Sequence, residues 1–481
     1  MINSKNKHRS VPNLVQWFLL FIAAIIFTAC GGETAVTVQN TPAPAATPEA
    51  TETLAPTETP APTATPSPAQ PGELTVDVAI TNGNINPLVY GANYGPWSSV
   101  PASALEDLKA SGITFLRFPG GNWGDDDFVR SNHVDMLKLF LDMIDGKVVA
   151  TVNLREGTPE QAVEMMQLLE EKEINVSYWS IGNEPNLFAD KGVNYEQWDT
   201  EFYNQKWREF AEAMLAHDPD ILLVGPDLSQ YTASESQNPK DEQGRDWMRE
   251  FLRANGDLVD NISFHRYPFG GSPTVAEVRA TSPEWDATIP YLRELILEET
   301  GRDIPVSIME VNSNWSHAQG SDGTPDSFYN AIWWADSLGR IINQGVDMVA
   351  YFTLAHNDGT TLLDRSGPRP TYYVYQLYQQ FGTEKLYSDS GLDEVSIFAA
   401  QREDGTVTLM VVNRGDADVT MPLHVANSAG GETAVSASSR QAILHRFDAA
   451  HNAENLGEVS IDELELPGQS ISLYVLPGAS E

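Results

Sequence analysis

Eight short apolar runs alternate with amphipathic stretches between Pro87 and Phe381, and this rhythm restricts the fold more than any other feature. The runs are Leu88–Tyr94, Thr114–Gly120, Lys147–Leu154, Val176–Gly182, Ile221–Asp227, Val259–Tyr267, Ile304–Val311 and Met348–Leu354. Each is apolar throughout rather than alternating, the pattern of parallel strands covered on both faces. The stretches between them read as helices. One opens Thr158-Pro159-Glu160-Gln161, with a capping residue, proline at the first helical position and Gln three residues after the cap. Another, Tyr195–His217, carries Trp207, Phe210, Ala211 and Met214 at helical spacing. Eight strand–helix units within one domain predict an α/β fold of the (β/α)8 TIM-barrel type over a doubly wound sheet.

The flanking segments differ in texture. After Phe381, short alternating runs such as "VSIFAAQR", "TVTLMVVNR" and "QSISLYVL" are broken by Asp404-Gly405 and Gly430-Gly431, which predicts a C-terminal antiparallel β-sandwich over residues 383–481. The catalytic-type barrel is expected over 73–382, with 73–82 a candidate extra strand of the sandwich. Residues 31–72 are dominated by a Thr/Pro/Ala-rich stretch from Thr41 that lacks the apolar side chains for a core, so it reads as a disordered tether reaching on the order of 100 Å. Residues 1–30 combine Lys5, Lys7 and Arg9 with an apolar run from Val15 to Ala29, shorter than the ~20 residues of a spanning helix. The run ends at Cys30, the single cysteine of the chain. The segment resembles a bacterial lipoprotein signal, which implies lipidation of Cys30, export, and anchoring of the chain to the cell envelope. An ordinary signal peptide is the alternative. A single cysteine also leaves no intrachain disulfide.

Charge narrows the partners. With 29 Lys and Arg against 67 Asp and Glu the net charge is −38, and loss of residues 1–29 removes three bases and no acids to leave −41. A field of that sign disfavours nucleic acid and other polyanions. No metal motif of the His/Cys type is present. Asp125-Asp126-Asp127 invites a calcium reading, but in so acidic a chain the expectation is a solvated loop, and no metal or cofactor is expected.

In a barrel of this kind, residues at the C-terminal strand ends face one pocket. Glu184 follows the fourth run, in "YWSIGNEPNLF", and Glu310 follows the seventh, in "IPVSIMEVNSNW". Strands four and seven stand across an eight-membered ring from each other, so the two carboxylates can converge. Glycosidic hydrolysis needs such a pair, one carboxyl to protonate the leaving oxygen and the other to attack the anomeric carbon or activate water.

The motifs "WSIGNEPN" and "SIMEVN" resemble those of the clan A retaining glycoside hydrolases. "INPLVYGANYG", "FLRFPGGNW", "TVNLREGTPEQA" and "SFHRYPF" also resemble segments of that clan, in the same order, over residues 83–381. "RFPGGN" and "YWSIGNEPN" look most like family 51, the α-L-arabinofuranosidases, and other segments resemble families 39, 44 and 79. The resemblance implies Glu184 as acid/base, Glu310 as nucleophile and Asn183 as donor to a sugar 2-hydroxyl. It further implies that Arg117 keeps Glu310 ionised and that His265 and Tyr267 position it, with a structural role as the alternative for each. Asn153 is a further candidate, or a loop cap. Trp123, Trp315 and Tyr231 lie in or near loops at the catalytic face and would serve as stacking platforms for sugar C–H faces, or as loop packing. One departure stands out: many clan members carry Trp at the end of strand eight, whereas this chain reads "YFTLAHND", with Phe352 and His356. The expected activity is retaining hydrolysis of a plant-type poly- or oligosaccharide, leaning to α-L-arabinofuranosidase. β-Xylosidase, endo-β-glucanase or β-glucuronidase are alternatives, as is a non-catalytic glycan-binding lipoprotein.

Overall fold

In the computed structural model, the described residues are 66–193, 198–316, 318–356, 358–428 and 441–476. Cys30, the signal-like segment and most of the Pro-rich stretch lie outside them. Among the described residues no helix is long and apolar enough to cross a membrane.

The chain enters as β1 (Leu74–Asn84) and then closes a parallel barrel of eight strands. These are β2 (Gly91–Asn93), β3 (Phe115–Phe118), β4 (Lys147–Val152), β5 (Val176–Ile181), β6 (Leu223–Leu228), β7 (Asn261–Arg266), β8 (Val306–Val311) and β9 (Val349–Tyr351). Each strand falls on one of the eight apolar runs, β6 passing the end of its run by one residue, and β2 pairs with β9 to close the ring. The helix Pro159–Glu171 starts on the anticipated capping box, with Thr158 and Gln161 bonding reciprocally. Inside the barrel, Leu88, Phe115, Val149, Val224, Met309, Met348 and Ala350 form a separate apolar plug. Phe115 lies over Gly91, where a Cβ would fall 1.9 Å from its ring, so only glycine fits. This plug fills the lower barrel beneath the polar side chains that converge at the C-terminal end.

A hairpin of β10 (Leu363–Asp364) and β11 (Gly367–Pro368) precedes the second layer. That layer contains β12 (Glu384–Ser390), β13 (Val395–Gln401), β14 (Val407–Asn413), β15 (Val419–Ala426), β16 (Gln441–Phe447), β17 (Asn452–Ser460), β18 (Glu463–Leu466) and β19 (Ser470–Leu476). With β1 they form one nine-stranded sheet in the order β17-β16-β19-β14-β13-β12-β1-β15-β18. Residues from both ends of that order, Leu444 of β16 and Leu464 of β18, share one core with Leu74, Ile397 and Leu409, so the sheet folds over into a sandwich. It is mixed rather than purely antiparallel, because β1 inserts antiparallel to β12 but parallel to β15. The end of the Pro-rich stretch is also pinned here, with Ala69 N donating to Asp389 at 2.8 Å and Gly72 N to Gly391 O at 2.9 Å. The other face of the sandwich, through Phe398, Met410, Val412 and Leu473, joins the barrel's own core. Phe398 lies where a Cβ on Gly339 would be 2.3 Å away, so barrel helix and sheet meet at van der Waals contact.

Candidate active site

The strand β5 ends at Ile181, and the next residues turn the chain sharply. Gly182 adopts φ +86° and Glu184 φ +52°, a left-handed conformation that only glycine takes at no steric penalty. Asn183 N donates to Asp125 Oδ2 at 2.6 Å, Glu184 N donates to Asp227 O at 3.0 Å, and Pro185 opens a short 3-10 turn to Leu187. The backbone strain at Glu184 is therefore held by two hydrogen bonds, to Asp125 in the segment after β3 and to Asp227 near the end of β6, and the carboxylate is turned into the barrel mouth.

Arg117, fully buried on β3, organises the site. Its Nη1 donates to Glu310 Oε1 at 2.8 Å and to Asn93 Oδ1 at 3.0 Å. Its Nη2 donates to Asp227 Oδ2 and Asn183 Oδ1, both at 2.9 Å. Glu310 receives two further donors, Gly121 N at 3.0 Å and Tyr267 Oη at 2.7 Å. Every group that bonds it is a donor, which suits an ionised carboxylate. Burial and the adjacent carboxylates push the Tyr267 hydroxyl well above its usual range, so it stays a phenol and a donor. Asp227 accepts from Ser180 Oγ at 2.6 Å and from Ser263 Oγ. Burial would raise this carboxyl, but the charges of Arg117 and His265 and the two serine bonds hold it below the ordinary value.

His265, also fully buried, lies between the two glutamates: Nδ1 is 3.2 Å from Glu184 Oε1 and 3.7 Å from Glu310 Oε2. The expectation that His265 positions Glu310 is thereby corrected. Its hydrogen bond goes to Glu184, because the turn at Gly182–Glu184 brings that carboxylate over β7. Burial pushes Glu184 up, but the His265 bond and the charges of His265, Lys191 and Arg117 more than offset it, so the carboxyl sits below its usual value. Carboxylate oxygens of Glu184 and Glu310 and a ring nitrogen of His265 all lie within 4.8 Å of one another. Among the described residues this is the one such group with ligand-type atoms, and the Arg117 guanidinium already bound to Glu310 opposes a second cation there.

The remaining candidates divide. Asn183 is buried with its oxygen on Arg117, while its Nδ2 donates to Asn122 Oδ1 at 3.2 Å. Asn153 does not join the site: its Oδ1 accepts from Glu156 N and Gly157 N, and its Nδ2 donates to Asp127 O, so it caps its own loop. Tyr231 is 1% exposed and packs on Phe264 and Tyr291, which excludes it as a stacking platform. Its ring packs between Phe264 of β7 and Tyr291 of the helix Trp285–Thr300. Trp123 is half-buried, edge-on to His133. Trp315 is 60% exposed and rigidly placed, its amide bonded to Phe269 O at 3.0 Å and its ring against Gly270, where a Cβ would lie 2.4 Å away. The three aspartates of 125–127 diverge. Asp125 is buried and accepts from Leu154 N, Arg155 N and Asn183 N, Asp126 pairs with Arg155, and Asp127 bonds Phe128 N. Burial raises the Asp125 carboxyl to about 6 against those backbone bonds. Both of its oxygens are used, so this residue ties the loops after β3, β4 and β5 together.

Several site residues escaped the sequence reading. Asp227 and Asn93 sit at strand ends, and position at the end of an apolar run was the available signal. Gly121 acts through its backbone and left none. Trp97, in "NYGPWS", donates to Gly120 O at 2.9 Å and stacks on Phe352 at 5.4 Å between centroids, while Phe352 meets the Tyr267 ring edge-on at 6.3 Å. Trp97 and Phe352 thus build an aromatic floor beside Glu310.

No family model matches the chain. It is 25% identical over 308 residues to heparanase of Mus musculus, covering 58% of this chain and 54% of that protein, and equally to heparanase of Rattus norvegicus. The chain thus spans about half the length of the curated relatives it matches. Among solved structures it resembles the family 51 arabinofuranosidase from Xanthomonas axonopodis pv. citri, with TM-score 0.65 and 15% identity over 84% of this chain and all of that one. It also resembles the bifunctional glucanase-xylanase CelM2 from a metagenome library, at 0.64 and 19% over 85% and all of that chain. The family 44 endoglucanase Cel44A from Clostridium thermocellum matches at 0.62 and 15% over 85% and all of that chain. The barrel-plus-sandwich fold is the one these enzymes share.

Proposed function

We propose that the protein is a retaining glycoside hydrolase with Glu310 as nucleophile and Glu184 as acid/base. The observation that carries this reading is the approach of the two carboxylates, with oxygens within 4.8 Å. Retaining enzymes hold their carboxyls about 5–5.5 Å apart, whereas inverting ones leave about 6.5–9.5 Å for a water. In the first step Glu310 attacks the anomeric carbon while Glu184 gives its proton to the leaving oxygen. In the second, the Glu184 carboxylate takes a proton from water, which displaces Glu310 from the sugar. Asn183 Nδ2 would exchange Asn122 for the sugar 2-hydroxyl, and Trp97 with Phe352 would support the ring. The fold neighbours and the heparanase likeness favour a glycosidase over a glycan-binding protein, which need not pair its carboxylates.

For the sugar, the motif resemblance and the arabinofuranosidase neighbours favour an α-L-arabinofuranoside. The second reading is a uronide. It is supported by the heparanase likeness and by Lys191, whose ammonium bonds Asn122 beside Asn183 and has no carboxylate within 4.0 Å among the described residues. Aryl arabinofuranoside, xyloside, glucoside and glucuronide distinguish these. Turnover of none of them by the wild type would sink the hydrolase reading. The Glu184→Ala variant should hydrolyse poorly activated aryl glycosides about 10²–10⁴-fold more slowly, whereas on highly activated ones, whose leaving group departs without acid help, azide should restore turnover by replacing the water that needs a base. Unchanged rates would remove Glu184 from its role.

The low value of the Glu184 carboxyl makes a pH prediction. A general acid acts only while protonated, so kcat/KM should fall on the basic side of an acidic optimum. In His265→Ala, loss of the hydrogen bond and charge lets burial raise Glu184, and the basic limb should move to higher pH, whatever the loss in rate. A limb that stays in place would show that His265 does not set it. The signal-like pattern of residues 1–30 supports the reading that the protein acts outside the cytoplasm on a lipid anchor at Cys30, which metabolic palmitate labelling lost in Cys30→Ser would check.

A further inference from the structure

Neither step of the reaction uses the carboxylate of Asp125, yet it bonds the residue next to the acid/base. Asp125 is fully buried in the segment after β3. Its Oδ1 accepts from Leu154 N at 2.8 Å and Arg155 N at 3.1 Å, both after β4, and its Oδ2 accepts from Asn183 N at 2.6 Å, after β5. These donors are all backbone amides, and they approach both oxygens. An asparagine of the same shape serves one side only, because its NH2 faces a donor on the other. Burial pushes the Asp125 carboxyl up to about 6, so a neutral side chain would be easier to bury there. What the carboxylate provides instead is an acceptor with two sides.

The same short segment also bonds Glu310. Gly121 N donates to Glu310 Oε1 at 3.0 Å, and Asn122 Oδ1 accepts from Asn183 Nδ2 at 3.2 Å. The segment is tied on itself, Gly124 N donating to Gly121 O at 3.1 Å and Asp125 N to Asn122 O at 3.0 Å. Gly121–Asp125 thus reaches from one carboxylate of the pair to the turn that carries the other. Within that turn, Gly182 N donates to Val152 O and Glu184 N to Asp227 O, both at 3.0 Å. Those are backbone-to-backbone bonds. The amide between them, Asn183 N, bonds a side chain, and it adjoins the residue held at φ +52°.

We propose that Asp125 is the positioning residue of the acid/base. By fixing Asn183 N against a segment that also holds Glu310, it sets the reach of Glu184 toward the leaving oxygen without touching the sugar. The inference rests on the hydrolase reading above, with Glu184 as the acid. Its consequence is selective. Glu310 keeps Arg117, Tyr267 and Gly121 as partners when Asp125 changes, so attack on the anomeric carbon survives while proton delivery suffers.

The test uses Asp125→Asn in the full chain. The amide oxygen can stay on Leu154 N and Arg155 N, which leaves the NH2 facing Asn183 N, so the bond lost is the one to the acid/base turn. The readout is kcat/KM, which reports the step in which the leaving group departs. On poorly activated aryl glycosides it should fall roughly 10²-fold, the scale of an ångström of misplacement. On dinitrophenyl glycosides, whose leaving group departs without a proton, it should stay close to wild type. So should the rate at which an activated 2-deoxy-2-fluoro glycoside labels Glu310. Asp127→Asn alters a neighbouring carboxylate that bonds Phe128 N, and it should match wild type on both substrates. A merely structural role would lower both substrates together, because a loosened barrel mouth misplaces Glu310 as well. Equal losses on the two substrates, or none on either, overturn the proposal. Should Asp125→Asn not fold, Asp125→Ala replaces it. Sodium formate should then restore the rate on the poorly activated substrate by refilling the acceptor position, and sodium chloride at equal ionic strength should not. Equal effects of the two salts likewise overturn the proposal. The hydrolase reading fails separately, on a wild type that turns over neither substrate.

Discussion

Glu310→Gln should lower kcat/KM on an aryl glycoside by roughly 10⁵-fold, about 7 kcal/mol of transition-state stabilisation, while leaving the fold intact. The amide is the same size as the carboxylate and its oxygen can still accept from Arg117 Nη1, which holds Glu310 at 2.8 Å. It cannot form the glycosyl ester, because it carries no negative charge to attack with. Its NH2 would also face the Tyr267 hydroxyl, which now donates at 2.7 Å and would have to rotate to accept. Two measurements check this. Circular dichroism and melting should match the wild type closely, and an activated 2-deoxy-2-fluoro glycoside should label the wild-type peptide containing Glu310 but not the variant. Label on a different carboxylate would remove Glu310 from the nucleophile's role.

Arg117→Met should have the largest effect on stability, about 3–5 kcal/mol near neutral pH. The guanidinium is fully buried and is the shared cation for Glu310 and Asp227. Removing it leaves two buried carboxylates facing each other with hydroxyl, amide and His265 donors only. The pH dependence follows from Asp227, whose folded value lies below its unfolded one. A group of that kind stabilises the fold above its unfolded pKa of about 3.9 and loses that contribution as pH falls through the folded value. In the variant, burial acts on Asp227 without its main counter-charge and raises it, so ionising it opposes folding. The gap in melting temperature between wild type and variant should therefore be widest at pH 7 and shrink toward pH 4. A gap independent of pH would mean that Arg117 contributes packing rather than charge. Activity should fall as well, since Asn93, Asn183 and Glu310 all take their places from the same guanidinium.

Much of this site was legible before any tertiary information. The strand ends could be counted, so Glu184 and Glu310 could be placed across a ring, and Arg117, Asn183, His265 and Tyr267 do meet them. For Tyr231 and Asn153 the structure selects the alternatives of loop packing and a loop cap, for a common reason. Each follows a strand end, but which way a loop residue points depends on the turn that precedes it. Asn153 turns back on its own backbone, and Tyr231 packs on Phe264 of β7 and Tyr291. His265 was assigned to the correct cluster and the wrong carboxylate, because 3.2 Å against 3.7 Å is settled by the left-handed turn at Glu184. Trp97 was passed over because nothing in a loop sequence says that it will stack on Phe352.

The number, polarity and order of the barrel strands can be read along the chain. Parallel strands covered on both faces must be apolar along their length, and that requirement is written locally, residue by residue. Which groups share charge depends on the closed fold. The four acceptors of Arg117 come from positions 24 to 193 residues away along the chain. Electrostatic pairing acts through space over a few ångströms, and only closing the barrel brings such distant residues within that reach.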